Sequence, residues 1–265
     1  MYLVVGGTGA AGSRIVAELV SRGMQVRVLT RGNRRAKDDG VSFVRGDLLT
    51  GAGLAEATAN VHTVIDASDG KTPRSQRVLT DGAENLMQAC WASGVERAVL
   101  LSIVNVDQCA LGYYRAKAEQ ERLFSTANRN NVVVRSTQFH EFLGMMWSTP
   151  SRARVLPVFT HTSFQPIDLR DVAAAVVDAA RSESLGAGSG RQQITIGGPE
   201  ILSMRELARQ WTFARQAQGK TRHRALTVPV HVPGKFGAFL RAGRNLVPDD
   251  AVTNGVTFGQ WLSEK

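Results

Sequence analysis

The chain has 265 residues, 43% of them hydrophobic and 21% charged, which fits one large α/β unit and excludes a disordered or collagen-like polymer. No run approaches the ~18–20 apolar residues of a bilayer span, and Met1-Tyr2-Leu3-Val4-Val5 passes at once into glycines without a basic leader, so a cytoplasmic protein with no membrane association is expected. The net charge of +9 is scattered arginine with two short clusters, residues 31–37 and 220–224, neither interleaved with aromatics, so nucleic acid is not the expected partner.

Leu3-Val4-Val5 is a short β-branched run and predicts the first buried strand. It leads into Gly6-Gly7-Thr8-Gly9-Ala10-Ala11-Gly12, then into a helical pattern from Ser13 to Arg22. A strand, a glycine turn and a helix start in that order let the backbone approach a pyrophosphate while free N–H groups face the anion. Gly6, Thr8, Gly9, Ala10, Ala11 and Gly12 are therefore candidate dinucleotide ligands.

Val26 to Leu29 predicts the second strand. An NAD site usually carries an acidic residue at this strand's end to bind the ribose 2′-hydroxyl. Here the chain reads Thr30-Arg31, with Arg34 and Arg35 just after. A guanidinium offers paired planar donors and a permanent charge to a 2′-phosphate. NADPH is thus expected over NADH, with Arg31 as first choice and Arg34 or Arg35 as helper; a solvated basic loop is the alternative. A short helix is expected from Asn33 to Asp38.

The third strand, Val41 to Val44, runs into Gly46-Asp47-Leu48. Asp47 can accept from an adenine amino group while Leu48 packs on the ring, or Asp47 can cap a helix. Helix Leu54 to Ala59 and strand Val61 to Ala67 follow, the latter closing on Asp66-Ala67-Ser68, where small Ala67 and Ser68 allow close cofactor approach. Next come helix Arg74 to Ser93, strand Ala98 to Ser102, helix Tyr113 to Asn128 and strand Val132 to Arg135. Cys90, in an apolar helical stretch, reads as inert core, and two cysteines are too few for a four-ligand metal site, so no metal is expected. The alternation predicts a Rossmann-type doubly wound parallel sheet over residues 1–136.

Tyr113 and Lys117 lie four residues apart at a helix start, on one helical face. An ammonium so placed can lower the phenol's pKa and hydrogen-bond a ribose. With Ser102 on a substrate carbonyl, the three residues suggest proton donation to an oxygen whose carbon receives hydride.

Residues 137–265 read mainly as a small C-terminal α/β substrate lobe, with segments near 155–182 returning to the sheet. Helices are expected at Phe139 to Trp147, Leu169 to Arg181, Met204 to Ala217 and Lys235 to Arg244, with extended segments at Val155 to Phe159 and Gln193 to Ile196 and a loop over Gly186 to Gly190. Phe139 and His140 are candidate pocket residues, with packing or capping as the alternative for the histidine. Asp168 with Asp171 reads as a helix cap with an acidic third residue, and Trp147, Trp211 and Trp261 read as core or lobe contacts.

In order along the chain, Val4-Val5-Gly6-Gly7-Thr8-Gly9, Arg45-Gly46-Asp47-Leu48, Leu101-Ser102-Ile103-Val104, Tyr113-Tyr114-Arg115-Ala116-Lys117, Arg135-Ser136-Thr137-Gln138-Phe139-His140 and Gly197-Gly198-Pro199-Glu200 resemble the atypical short-chain dehydrogenase/reductase superfamily, in its NmrA-like NAD(P)H-binding branch. The resemblance implies relatives that reduce quinones, isoflavone-type compounds and dyes. It implies an NADPH-dependent reductase of a small organic acceptor such as a quinone, carbonyl or enone. Lys117 would be the ligand of the cofactor ribose, and Tyr113 or water the proton source. Some members bind NADP without turnover and act as redox-sensing regulators, so a noncatalytic NADP(H) sensor is the alternative. The serine-to-tyrosine separation of 113 minus 102, or 11, is shorter than in the standard triad, which leaves Tyr113, Tyr114 or neither as the acid. A monomer or homodimer is expected.

Overall fold

A computed structural model describes residues 1–33, 40–70, 72–127, 130–149, 155–182, 192–219, 225–248 and 251–265. The six β-branched runs of the first half become strands β1 (Tyr2–Val5), β2 (Val26–Thr30), β3 (Val41–Arg45), β4 (Thr63–Asp66), β5 (Arg97–Ile103) and β6 (Val132–Ser136). Successive side chains point to opposite faces, so Leu3, Val5, Val64 and Leu100 enter one core and Val4, Ile65, Val99 and Val134 the other. Both faces are covered, which is why these strands read as unbroken apolar runs.

Helices α1 (Ala10–Ser21), α2 (Leu54–Thr58), α3 (Pro73–Gln76), α4 (Asp81–Ala92), α5 (Gly112–Ala127) and α6 (His140–Ser148) follow the strands. Beyond them come β7 (Val155–Phe159), β8 (Ser163–Phe164), α7 (Leu169–Arg181), β9 (Gln192–Gly197), β10 (Leu202–Ser203), α8 (Met204–Ala217), β11 (Leu226–Val230), α9 (Gly234–Arg241), β12 (Val252–Thr253) and α10 (Phe258–Ser263). The main sheet has eight strands in the order β12-β9-β6-β5-β4-β1-β2-β3, every neighbouring pair parallel. Residues of α1 and α7 complete the core on one face, and those of α2, α4 and α5 the core on the other. The chain is therefore an α/β protein with a doubly wound parallel sheet.

A third core belongs to the later segments and contains Trp147, Leu156, Phe164, Leu207, Trp211, Phe239, Phe258 and Trp261. It is continuous with Ile103, Val106, Tyr113 and Tyr114 at the carboxyl end of β5, which brings these segments beside the mouth of the sheet. Two indole N–H groups are used within it: Trp147 donates to Pro157 O at 2.9 Å and Trp261 to Glu141 Oε1 at 3.2 Å. Among the described residues no helix is long and apolar enough to cross a membrane.

Several boundaries differ from expectation. The helix expected over Arg74 to Ser93 is broken, because Thr72 caps α3 through Ser75 N–H and the chain then turns before α4. Gly82, at the second position of α4, sits so close to Leu48 that a Cβ there would lie 2.9 Å from the leucine Cβ. The fourth strand is shorter than Val61 to Ala67, since only Thr63–Asp66 pairs with β1 and β5. β7 pairs with β11 in a separate two-stranded sheet, and β8 with β10 in another, while β9 and β12 extend the main sheet. The expected helix from Asn33 to Asp38 and the loop at Gly186 to Gly190 fall, apart from Asn33, outside the described residues, as does the cluster 220–224.

Candidate functional site

The strand order reverses at β1, with β2 on one side and β4 on the other, and a crevice opens at the carboxyl ends there. Gly6 occupies that point with φ of +72°, and a Cβ on it would lie 2.6 Å from Ala67 O and 2.9 Å from Ser68 N. The end of β4 thus stands directly against the glycine turn. A Cβ on Gly12 would lie 2.1 Å from Gly6 O, so the first turn of α1 packs on the turn at backbone distance. Gly9 is the N-cap and provides no side-chain cap; its N–H donates to Gly6 O at 2.9 Å, and Ser13 N–H donates to Gly9 O at 2.9 Å. The N–H groups of Ala10, Ala11 and Gly12 precede the first bond of the helix ladder, and Thr8, Gly9 and Ala10 are exposed. A glycine-rich cradle at the positive end of a helix fits the pyrophosphate of a dinucleotide.

Arg31 is exposed immediately after β2, and no carboxylate among the described residues pairs with it. Gly46 N–H donates to Thr30 O at 3.0 Å, which brings the turn after β3 beside Arg31. Arg34 and Arg35 lie outside the described residues. Asp47 is not a helix cap, since Gly53 caps α2; its Oδ1 accepts from Leu49 N–H at 2.8 Å and closes a local turn. Leu48 is buried in the core with Leu54 and Leu86.

Behind the turn lies a buried polar chain. Asp66 is fully buried at the end of β4, with Oδ1 accepting from Ser68 N–H at 2.8 Å and Oδ2 from Gln120 Nε2 at 2.9 Å. Gln120 Oε1 accepts from Lys117 Nζ at 2.9 Å, and that ammonium also donates to Leu101 O at 2.9 Å and Ser68 O at 3.3 Å. Lys117 is only 4% exposed; burial lowers its pKa, against the opposing pull of Asp66, Asp69 and Glu121. Ser102, next to Leu101, carries a buried Oγ with no partner among the described residues.

Tyr113 donates from its phenol to Asp69 Oδ1 at 2.9 Å, in the segment that follows β4. The expected lowering of this phenol by Lys117 is overturned: burial and the Asp69 carboxylate push its pKa above the ordinary range. Tyr114 turns instead into the lobe core, edge-on to Tyr113 and Phe239 with ring centroids 5.9 and 5.5 Å away, and burial pushes its phenol up to about 12. Cys90 is likewise pushed up to about 12 by burial, as inert core requires.

Gly6, Gly12, Ala67, Ser68, Lys117 and Leu101 with its neighbour Ser102 therefore form one continuous set of contacts, extended by Tyr113 through Asp69. His140 is not brought into it. Its ring is fully buried against Phe258 and Trp261, Nε2 is 2.9 Å from Val256 O, and Nδ1 has no partner among the described residues; burial lowers its pKa. Phe139 is partly buried against the α1/α7-side core, and its backbone bridges to Ile167. Asp168 caps α7 by accepting from Arg170 N–H at 2.7 Å, and the three predicted core tryptophans are buried. Sequence reasoning passed over Asp69 and Gln120. The signals were present: Gln120 lies one helical turn beyond Lys117, and Asp69 directly follows Ser68.

The profile of a family described as NAD(P)H-binding matches residues 6–183. Among curated proteins, the photosystem II assembly factor Ycf39 of Synechocystis sp. is 27% identical over 192 residues, covering 69% of this chain and 59% of that protein. The chain thus spans less than two thirds of that relative's length. A (4-alkanoyl-5-oxo-2,5-dihydrofuran-3-yl)methyl phosphate reductase of Streptomyces griseus is 28% identical, covering 79% of this chain and 72% of that protein. Among solved structures, an NADPH-dependent quinone oxidoreductase of Escherichia coli in complex with NADPH superposes with a TM-score of 0.78 at 16% identity, covering 100% of this chain and 99% of the other, a likeness of fold.

Proposed function

The chain belongs to the NAD(P)H-binding family, and from that premise we propose that it is an NADPH-dependent reductase of a small organic acceptor such as a quinone, carbonyl or enone. The observation that carries the proposal is the glycine turn at the sheet's switch point, where Gly6 meets Ala67 and Ser68 at backbone distance. A reductase among the curated relatives and a fold shared with an NADPH-bound quinone oxidoreductase support it.

When bound, the reduced dinucleotide supplies the hydride. The turn from Gly6 through Thr8, Gly9, Ala10 and Ala11 to Gly12 holds the pyrophosphate, and Arg31 selects the 2′-phosphate, with Arg34 as helper. Asp47 and Leu48 flank the adenine, and Ala67 and Ser68 leave room for the nicotinamide half. Lys117 orients its ribose by exchanging one present acceptor, Ser68 O at 3.3 Å being the longest of the three. Ser102 offers its unpartnered hydroxyl to the acceptor's oxygen, Tyr113 protonates that oxygen, and Phe139 borders the pocket. The division of labour follows 1–136 for cofactor and 137–265 mainly for acceptor.

Calorimetric titration with NADPH, NADP⁺, NADH and NAD⁺ tests the first half. The phosphorylated pair should bind more tightly, and Arg31→Ala should reduce that preference about tenfold, the order expected for one charge-assisted contact at an exposed site. Equal affinities for all four forms, or an unchanged preference in the variant, would refute the assignment. NADPH consumption with a quinone, carbonyl and enone panel tests the second half. One observation favours a second reading, a noncatalytic NADP(H) sensor: the Tyr113 proton is directed at Asp69 and the Lys117 ammonium already has three protein acceptors. Distinct affinities for oxidised and reduced forms without turnover would support that reading.

A further inference from the structure

We infer that Asp69 acts through Tyr113, orienting the phenol at the rim of the crevice and passing to it, from solvent, the proton that reduction consumes; the inference rests on the reductase reading. Two observations carry it. Tyr113 Oη and Asp69 Oδ1 are 2.9 Å apart, a full hydrogen bond with the phenol as donor. The two residues also differ in access, since Asp69 is exposed while Tyr113 is partly buried against Tyr114 at the edge of the lobe core.

The Tyr113 ring meets Tyr114 edge to face, and its hydroxyl reaches out to the exposed Asp69 carboxylate. Gly70 N–H donates to the same Oδ1 at 2.8 Å, which fixes the carboxylate's orientation. Among the described residues, Lys117 and Asp66 are joined through Gln120, and Arg77, which caps the C-terminus of α3, is paired with Asp81. Glu121 lies farther along α5 and is paired with Arg135. None of these stands between Tyr113 and Asp69.

The step balances as follows. The reduced nicotinamide gives two electrons and one hydrogen to the acceptor's carbon, leaving an oxyanion. The Tyr113 O–H bond breaks as the acceptor O–H bond forms. Asp69, a carboxylate while it accepts from Tyr113, takes a proton from hydronium or a buffer acid once the phenol has given up its own, and that carboxyl O–H breaks as the Tyr113 O–H is remade.

Asp69→Asn keeps an acceptor for the phenol but carries no exchangeable acid proton, while Asp69→Ala removes both and leaves space. Both variants should lower kcat with NADPH and the best acceptor by about 10- to 100-fold, within the range of lost acid–base assistance. Added formate should restore Asp69→Ala in proportion to its concentration and leave the native chain unaffected, which a merely structural loss would not do. A second readout needs no turnover: on raising pH, the phenolate absorbance of Tyr113, taken as the difference from Tyr113→Phe, should appear at lower pH in Asp69→Asn than in the native chain. Native kcat in Asp69→Asn, absence of formate rescue, or an unmoved phenolate midpoint would overturn the inference. A native chain that oxidises NADPH with none of the quinone, carbonyl and enone acceptors, while the phenolate midpoint still moves, would overturn the reductase reading and the proton path with it.

Discussion

Gly6→Ala is the substitution that most directly tests whether the crevice is built from backbone contact. The residue has φ of +72°, a region that costs an L-residue about 1–2 kcal/mol. Its new Cβ would also meet Ala67 O at 2.6 Å, Ala67 C at 2.7 Å and Ser68 N at 2.9 Å, all backbone atoms of a strand end held between β1 and β5. Overpacking of this kind adds roughly 1–3 kcal/mol. The combined loss is about 2–5 kcal/mol, or roughly a 5–20 °C fall in Tm for a chain of this size. Gly23→Ala is the control: Gly23 ends α1 with φ of +76° and has nothing within 4 Å of a Cβ, so only the dihedral cost of about 1–2 kcal/mol applies. Urea unfolding followed by circular dichroism measures both, and calorimetry with NADPH should show lost affinity only in Gly6→Ala. If the two variants unfold at the same urea concentration and bind alike, the close approach of the turn to Ala67 does not hold the crevice.

Gln120→Leu would deprive the buried Asp66 carboxylate and the buried Lys117 ammonium of one hydrogen bond each. At roughly 1–3 kcal/mol for each unsatisfied group, unfolding free energy should fall by about 2–6 kcal/mol; a loss below about 1 kcal/mol would mean that water replaces the amide. The His140 pKa is lowered in the folded chain, so below the ordinary imidazole value of ~6.5 the unfolded chain binds more protons than the folded one. Stability therefore rises with pH through that range and is lost on acidification. His140→Gln should flatten the difference between denaturation midpoints at about pH 5 and about pH 8, and an unchanged difference would assign the dependence to other groups.

What could be read from the residues follows from what each signal depends on. β1 through β6 were legible because a strand buried on both faces needs only a short β-branched run between turns. α7 and α8 emerged with their observed ends, since Asp168 and Ser203 mark the starts and a period of 3.6 carries the rest. The break between α3 and α4 was not legible, because Arg77 to Thr80 keeps helical spacing and the turn is fixed by the approach of Gly82 to Leu48, from a distant loop. Two-residue ladders such as β8, β10 and β12 carry no period at all. β11 was hidden by Pro229, which argues against a strand interior yet is accommodated in this two-stranded pair. At the site, helical spacing put Tyr113 and Lys117 on one face, but the direction of the phenol's shift is set by burial and then by Asp69, 44 residues earlier. His140 likewise is explained by Val256, 116 residues later.

The contacts around Lys117 also explain how one site suits both an enzyme and a sensor. Ser68 touches three parts of the molecule at once: its neighbour Ala67 meets the glycine turn, its carbonyl accepts from Lys117, and its hydroxyl accepts from Gln120 at 3.3 Å. The end of β4 is thus joined to α5 both through Ser68 and through the bond of Asp66 to Gln120. From Lys117 the helix runs back one turn to Tyr113 and Tyr114, and Tyr114 is packed on Phe236 and Phe239 of α9. A path of contacts therefore runs from the crevice to the lobe. Such a link orders an acceptor pocket over a bound cofactor in a reductase, and in a sensor it carries the cofactor's presence to the lobe surface. The same atoms serve either purpose, so the fate of the Tyr113 proton separates them.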